Sequence, residues 1–260
     1  MASKTQIAEK FTLAFYEKKW PGELCSELKC LSIQEAYEVQ DLIVAQHEKK
    51  SESVVGYKVG CTSDPIRQQF GLTEPISGRM FSPYIYPSGT TLSHSRYVNC
   101  AIEPELVIKF KHEISGQDLD YETIINAIDW VSCGIEIHNF KFWHMPPSSQ
   151  ELICSGGIWA GLVIGEDKVS PEGLRFDREL FQVYRNDQLV CGAQARDIMD
   201  GGPLKSLRWL INFLNVQGKV LPAGSIVIPG SPTPLVEVAA GEHITVKIDG
   251  VGQVRASFTD

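Results

Sequence analysis

No apolar run in the chain approaches the ~20 residues that a membrane-spanning helix needs. The start, MASKTQIAEKF, has neither the apolar stretch of a secretion signal nor an Arg-rich transit pattern, so the expected location is cytoplasmic. Basic clusters are also scarce: none is denser than the helix-like end HEKK, and 32 acidic residues outweigh 24 basic ones for a formal charge of -8. That balance argues against a nucleic-acid surface and leaves small molecules as the expected partners. CxxC pairs are missing. The 7 cysteines, Cys25, Cys30, Cys61, Cys100, Cys133, Cys154 and Cys191, are odd in number, scattered and mostly flanked by apolar residues. They read as reduced, mostly buried thiols rather than disulfides or zinc ligands. Repeats, low-complexity tracts and long linkers are lacking too.

What is present is ordinary globular composition, 43% apolar and 22% charged over 260 residues, enough for one large domain or two small ones. The opening reads as helical through Phe11 and Phe15. A second helix follows in SIQEAYEVQDLIVAQHEKK, where Ser32 and Glu35 have the spacing of a capping box and Tyr37, Leu42 and Ile43 lie close to one stripe. From Val54 the pattern changes to short strands punctuated by Gly, Pro and Ser. Two helices interrupt it: DYETIINAIDWVSCG, capped by Asp120 with Ile124, Ile125 and Ile128 inside, and GPLKSLRWLINFLNVQG, with Leu207, Leu210, Ile211 and Leu214 inward and Gly218 as a stop. The tail is strand-rich, and its Asp249-Gly250 pair suits a hairpin turn. The apolar stretch GGIWAGLVIG fits either a core strand or a subunit contact. The expected architecture is α+β, with an N-terminal helical part (1–52) leading into a β-rich domain (53–260) as one structural unit.

The segment CAIEPELVIKF poses a specific problem. Strand alternation puts Ile102, Leu106, Ile108 and Phe110 on one face and Ala101, Glu103, Glu105 and Val107 on the other. Two carboxylates so close oppose each other's ionisation, and apolar neighbours add a desolvation cost, unless a shared cation compensates. The alternative is an exposed amphipathic edge strand. Pro104, which donates no ladder hydrogen bond, is expected at an edge or bulge. In GIEIHNFKF the same alternation puts Glu136 and His138 together, opposite Ile135 and Ile137. Glu103, Glu105 and Glu136 are then three oxygen donors suited to a hard cation such as Mg²⁺ or Mn²⁺.

The order of GYKVGCTS, SGRM, IEPELVIKF, GIEIHNFKF, RWLINFL, AGSIVIPGS and VGQVRASF resembles the fumarylacetoacetate hydrolase superfamily, and within it the branch of 2-keto-4-pentenoate hydratases and 4-oxalocrotonate decarboxylases. The resemblance implies a mixed β-roll core and Mg²⁺ or Mn²⁺ held by Glu103, Glu105 and Glu136. It also implies a short unsaturated 2-oxo or 2-hydroxy acid that chelates the ion, and assembly into a homo-oligomer. Lys58 matches the family's site lysine, placed to hold a carboxylate or relay a proton. Arg79 either helps hold a substrate carboxylate or forms a structural salt bridge. His138 is an extra ligand, a donor to a ligand or a structural histidine, and His144 is an acid or base by residue type alone. Ser231 either closes the pocket or is a plain turn residue.

Where the branch carries a D-x-x-A-D-N-A-S-like stretch, this chain has ELICSGGI: Glu151 keeps an acid, while Ser155 and Gly156 replace Asp and Asn. The family's acid after its GV-x-x-P turn is replaced as well, since GLTEPISG has Ile76 and Ser77 there. The implied activity is hydration of 2-hydroxy-2,4-dienoates. The alternatives are 4-oxalocrotonate-type decarboxylation, acylpyruvate-type C–C hydrolysis with His138, His144 or Glu151 as base, and a catalytically weak protein that binds a metal and an organic acid.

Overall fold

The computed structural model describes residues 2–18, 28, 30–140 and 147–260; His144 and Cys25 lie outside them. In chain order the elements are helices α1 (Lys4–Glu17) and α2 (Ile33–Lys49), strand β1 (Val54–Gly60), helix α3 (Asp64–Gln69), and strands β2 (Ile76–Phe81), β3 (Ile85–Pro87), β4 (Thr90–Ser93) and β5 (Cys100–Phe110). Then come helix α4 (Tyr121–Ala127), strand β6 (Ile128–Asn139), helix α5 (Ser149–Cys154), and strands β7 (Trp159–Ile164), β8 (Leu180–Arg185) and β9 (Gln188–Gln194). Helix α6 (Pro203–Val216) precedes strands β10 (Ile226–Ile228), β11 (Val236–Glu237), β12 (His243–Ile248) and β13 (Gly252–Thr259).

Two mixed sheets form the α+β body. One has the order β2-β1-β10-β5-β6-β7-β3, with β11 also paired to β5; the other runs β4-β13-β12-β8-β9. The main core lies between them, where Ile102, Leu106, Ile108, Ile135 and Ile137 of the first sheet join Phe181, Val246, Val254 and Phe258 of the second. Helix α6 adds Leu207, Leu210, Ile211 and Leu214 to the same core, as its periodicity predicts, and Gly218 follows it with φ 67°. A second apolar cluster joins Ile7 and Phe11 of α1 and Val39 and Ile43 of α2 to Ile76, Leu152 and Ile153. The helical N-terminus thus packs on the opposite side of the first sheet, around the end of α5.

Several local expectations change. The helix begun at Asp120, which caps through Thr123 N–H, ends at Ala127, and Ile128 onward is strand rather than helix. β-Branched Ile128 and Val131 favour the pleat, and pairing with all of β5 outweighs the helical spacing. GGIWAGLVIG supplies β7, a core strand between β6 and β3. The Ser32–Glu35 capping box forms, but the buried stripe of α2 is Ala36, Val39, Gln40, Ile43 and His47, with Tyr37 and Leu42 only half-buried. Among the described residues, no helix is long and apolar enough to cross a membrane.

Pro104 lies neither at an edge nor in a bulge. Along β5, Phe110 N–H donates to Ser225 O and Cys100 O accepts from Val238 N–H, so even-numbered residues turn their backbone groups toward β10 and β11. Those two strands pair with Ile108–Lys109 and Ala101–Ile102, which leaves a gap opposite Pro104. The missing donor falls where no ladder partner exists, and the ring interrupts nothing.

His47, in the HEKK end, is buried rather than exposed. Its ring stacks on Phe81 with centroids 4.1 Å apart, and Nδ1 lies 2.5 Å from Glu52 Oε2. Glu52 also accepts from Tyr16 (2.8 Å) and Tyr84 (3.0 Å). Burial holds the His47 pKa below its ordinary value. For Glu52, burial pushes the carboxyl up, but the bonds from His47, Tyr16 and Tyr84 outweigh it and leave the pKa below 4.5. Glu52→Gln should lower stability at neutral pH by about 1–3 kcal/mol, because it breaks the acceptor end of a largely buried network. A carboxylate with a depressed folded pKa stabilises the fold above its unfolded value and loses that contribution as pH falls through the folded one. Urea midpoints of variant and wild type should therefore converge below pH 4.5.

Candidate metal centre

On the face of the first sheet turned away from the main core, β5 presents Glu103 and Glu105, β6 presents Glu136 and His138, and β1 presents Lys58. Their neighbours in sequence, Tyr57 and Val59, Ile102 and Leu106, Ile135 and Ile137, fill the core on the other face. Glu103 is directly opposite Glu136 in the β5–β6 ladder, and Glu105 is opposite Gly134. The exposed edge-strand alternative fails: Glu105 and Glu136 are 0% exposed, and Lys58 is 3% exposed.

The contacts within this group are short. Lys58 Nζ lies 2.6 Å from Glu136 Oε1 and donates to Gly157 O at 3.3 Å. His138 Nε2 lies 3.1 Å from Glu103 Oε2 and 3.4 Å from Glu136 Oε2. Glu105 Oε2 accepts from Gly230 N–H at 3.1 Å, whereas its Oε1 is buried with no hydrogen-bond partner. Burial, then the charges of Glu136 and Glu103, push the Glu105 carboxyl well above the carboxylate range. Burial acts the same way on Glu136, but His138 and Lys58 outweigh it and hold that carboxyl low. Burial lowers the Lys58 pKa, and Glu136 with Glu103 more than reverse this, so the ammonium persists. For His138 the balance is similar: burial lowers, Glu136 raises by more, and the ring is pushed up to about 9.

A buried carboxylate oxygen without a partner, beside two further acids, lacks positive charge. One ligand atom each from Glu103, Glu136 and His138 falls within 4.8 Å of the others. This donor set fits a divalent cation.

The remaining sequence-predicted residues occupy other positions. Glu151 is buried in the capping box of α5, where Oε2 accepts from Ser148 N–H (2.7 Å) and Ser148 Oγ accepts from Glu151 N–H (3.2 Å). Ser155 Oγ donates to Leu152 O and accepts from Ile158 N–H, closing the turn after α5. Arg79 is held by Gln40 Oε1 (2.6 Å) and Asp41 Oδ1 (2.8 Å) of α2, and with Ser155, Phe81 and Trp159 it lines a cavity of about 50 Å³. Ser231 Oγ accepts from Thr233 N–H within its own turn.

Three groups escape a reading by residue type, because backbone and absent side chains do the work: Gly157 O, Gly230 N–H and Gly78. A Cβ at Gly78 would lie 2.5 Å from Gly156 O, so only glycine lets the turn after α5 approach β2. Gly157 has φ 71°, and a Cβ there would sit 3.1 Å from Lys58 Nζ. Gly157→Ala should displace the ammonium and cut kcat about ten- to a hundredfold, a misplacement effect, while the melting temperature falls only modestly. The repeated glycines of SGGI were the available signal.

No protein-family profile matches the chain. Solved structures place it nonetheless. It superposes on 4-oxalocrotonate decarboxylase from Pseudomonas putida G7, complexed with magnesium and adipate, with a TM-score of 0.91 and 26% identity over 98% of this chain and 97% of that one. Fumarylpyruvate hydrolase from Pseudomonas aeruginosa, complexed with Mn²⁺ and pyruvate, shares the fold alone, with a TM-score of 0.58 and 17% identity over 78% of this chain and 88% of that one. The mixed double-sheet body is the fold that the chain shares with these two enzymes. In sequence it is similar to 2-keto-4-pentenoate hydratases and 4-oxalocrotonate decarboxylases. It is 29% identical to a Pseudomonas putida 4-oxalocrotonate decarboxylase over 88% of this chain and 86% of the relative. It is 25% identical to the 2-hydroxyhexa-2,4-dienoate hydratase of Comamonas testosteroni over 88% of each.

Proposed function

We propose that the protein is a divalent-metal-dependent lyase that hydrates a short 2-hydroxy-2,4-dienoate of the 2-keto-4-pentenoate type. The observation that carries this is the carboxylate group of half-buried Glu103 with buried Glu105 and Glu136, and its unpartnered Glu105 oxygen, in a chain related over most of its length to hydratases and decarboxylases. Glu103, Glu105 and Glu136 would hold the ion, Mg²⁺ or Mn²⁺, which when bound supplies stabilisation for negative charge developing on the substrate's carboxylate and C2 oxygen.

The chain's own residues do the rest. Lys58 stays protonated at Nζ, fixed between Glu136 and Gly157 O, and offers a proton or a carboxylate contact at the floor of the site. The Lys58 stem is enclosed by Gly78, Gly157 and buried Ile76, which exclude water from the ammonium and strengthen its pull on an anion. Gly230 N–H fixes Glu105 so that Oε1 faces the shared charge. Arg79 and Ser155 border a separate small cavity under α2, and they would meet a substrate only if it reached past the turn after α5; Ser231 shapes the turn that carries Gly230. Glu151 serves the α5 cap, so its part in the site is to position that turn. Homo-oligomeric assembly and a cytoplasmic location belong to the same reading.

A second reading, 4-oxalocrotonate-type decarboxylation, is favoured by the near-full-length superposition on that enzyme. It uses the same residues, with carbon dioxide leaving as the charge develops. Mass spectrometry of products from metal-loaded protein separates the two: gain of one water from a 2-hydroxydienoate supports hydration, and loss of carbon dioxide from 4-oxalocrotonate supports decarboxylation. Cleavage of an acylpyruvate, or turnover of none of these, overturns both.

A further inference from the structure

We propose that His138 is a nitrogen donor of the metal centre and that the centre therefore prefers a borderline transition cation such as Fe²⁺ or Co²⁺ over Mg²⁺ and Ca²⁺. This rests on the metal reading above and narrows it. Two residues after Glu136 on β6, His138 shares its face, and Glu103 is directly across the ladder from Glu136. The three side chains converge: Nε2 is 3.1 Å from one Glu103 oxygen and 3.4 Å from one Glu136 oxygen. His138 is 2% exposed, so it has no water to turn toward. Further along the same face, opposite Gly134 in the ladder, Glu105 Oε1 is buried and unpartnered, an independent sign that a cation belongs to this face. In the ion's absence the imidazole bridges Glu103 and Glu136. When an ion engages the same two carboxylates, Nε2 releases its proton to solvent and turns the freed lone pair to the ion.

Mg²⁺, Ca²⁺ and Mn²⁺ favour oxygen donors, whereas imidazole suits Fe²⁺ and the ions after it, with affinity rising from Fe²⁺ to Co²⁺. A site with one imidazole among its carboxylates therefore gains more with a transition ion than an all-oxygen site does. The solved decarboxylase relatives contain calcium or magnesium. This chain should rank its ions differently.

The test is competition calorimetry on the full chain, stripped of metal and titrated with MgCl₂, MnCl₂ and CoCl₂, for wild type and His138→Gln. The Co²⁺-to-Mg²⁺ ratio of association constants should fall about tenfold or more in the variant, through weaker Co²⁺ binding with Mg²⁺ binding little changed. An unchanged ratio overturns the proposal and leaves the carboxylate site standing. Should the variant not fold, pulsed EPR of Mn²⁺-loaded wild type decides: imidazole nitrogen modulation supports ligation, and its absence overturns it. If wild type binds none of the ions, or Glu136→Ala binds them equally well, the underlying metal reading fails as well.

Discussion

Glu136→Gln is expected to lower kcat/KM by about a thousandfold or more and to weaken divalent-metal binding by at least about a hundredfold, since removal of a ligand should cost more than loss of its supporting partners. Glu136 is the hub of the site. It faces Glu103 across the ladder, holds Lys58 at 2.6 Å and lies 3.4 Å from His138. The amide keeps the shape and the burial but loses the charge, so Lys58 and His138 lose their nearest compensating group. Steady-state kinetics at saturating metal, paired with a metal titration, check both numbers. A variant that binds metal as wild type does and turns over normally would place the ion elsewhere.

Lys58→Met should move two quantities in opposite directions. Turnover should fall by about a hundred- to ten-thousandfold, the range for a lost proton donor or carboxylate contact. Metal affinity should rise, because the ammonium and the ion compete for the same carboxylate oxygens and like charges repel. Methionine fills the space of the stem beside Gly78 and Gly157, so the fold should survive. Calorimetry alongside kcat measurement separates this from a purely structural lysine, whose loss would weaken metal binding and turnover together through disorder of the site.

The face that gathers the carboxylates was legible in the sequence because a strand's period is short and unforgiving. Glu103 and Glu105 share a face in CAIEPELVIKF, Glu136 and His138 share one in GIEIHNFKF, and β5–β6 pairing aligns the two faces. What stayed hidden depends on partners distant in the chain. The change from helix to strand at Ile128 is decided by β5, and nothing in DYETIINAIDWVSCG encodes that pairing. His47 looked like part of a charged helix end because its shelter, Phe81, Tyr16 and Glu52, comes from three other segments. Arg79 read as either a substrate contact or a structural salt bridge, and the ion-pair partner, Asp41, with Gln40, comes from α2 across a helix–sheet contact that the SGRM motif does not show. Gly157 O and Gly230 N–H are backbone groups, and residue type says little about where a backbone group points.

The departures from the branch pattern fall together in space. Ser155, Gly156, Gly157 and Ile158 form the turn that touches Gly78 and Lys58, and Gly156, Gly157 and Ile158 all have positive φ. For Ile158, with φ 57°, this is costly, since a β-branched side chain crowds its own backbone there. The turn is held by Ser155 Oγ and by Asn139 N–H donating to Ile158 O. Where the branch pattern calls for polar side chains, this chain brings backbone close to Gly78 and Lys58 through glycine.

If Glu103, Glu105 and Glu136 share a divalent cation through which a 2-oxo acid is bound, a small dicarboxylate should bind only in the presence of the ion. Calorimetry of oxalate, a mimic of the substrate's carboxylate and C2 oxygen, tests it most directly when run on metal-free protein, on Mn²⁺-loaded protein and on Mn²⁺-treated Glu136→Gln. Heat of binding is expected for the Mn²⁺-loaded wild type alone. Oxalate binding of equal strength to the metal-free protein, or to the variant, would contradict it.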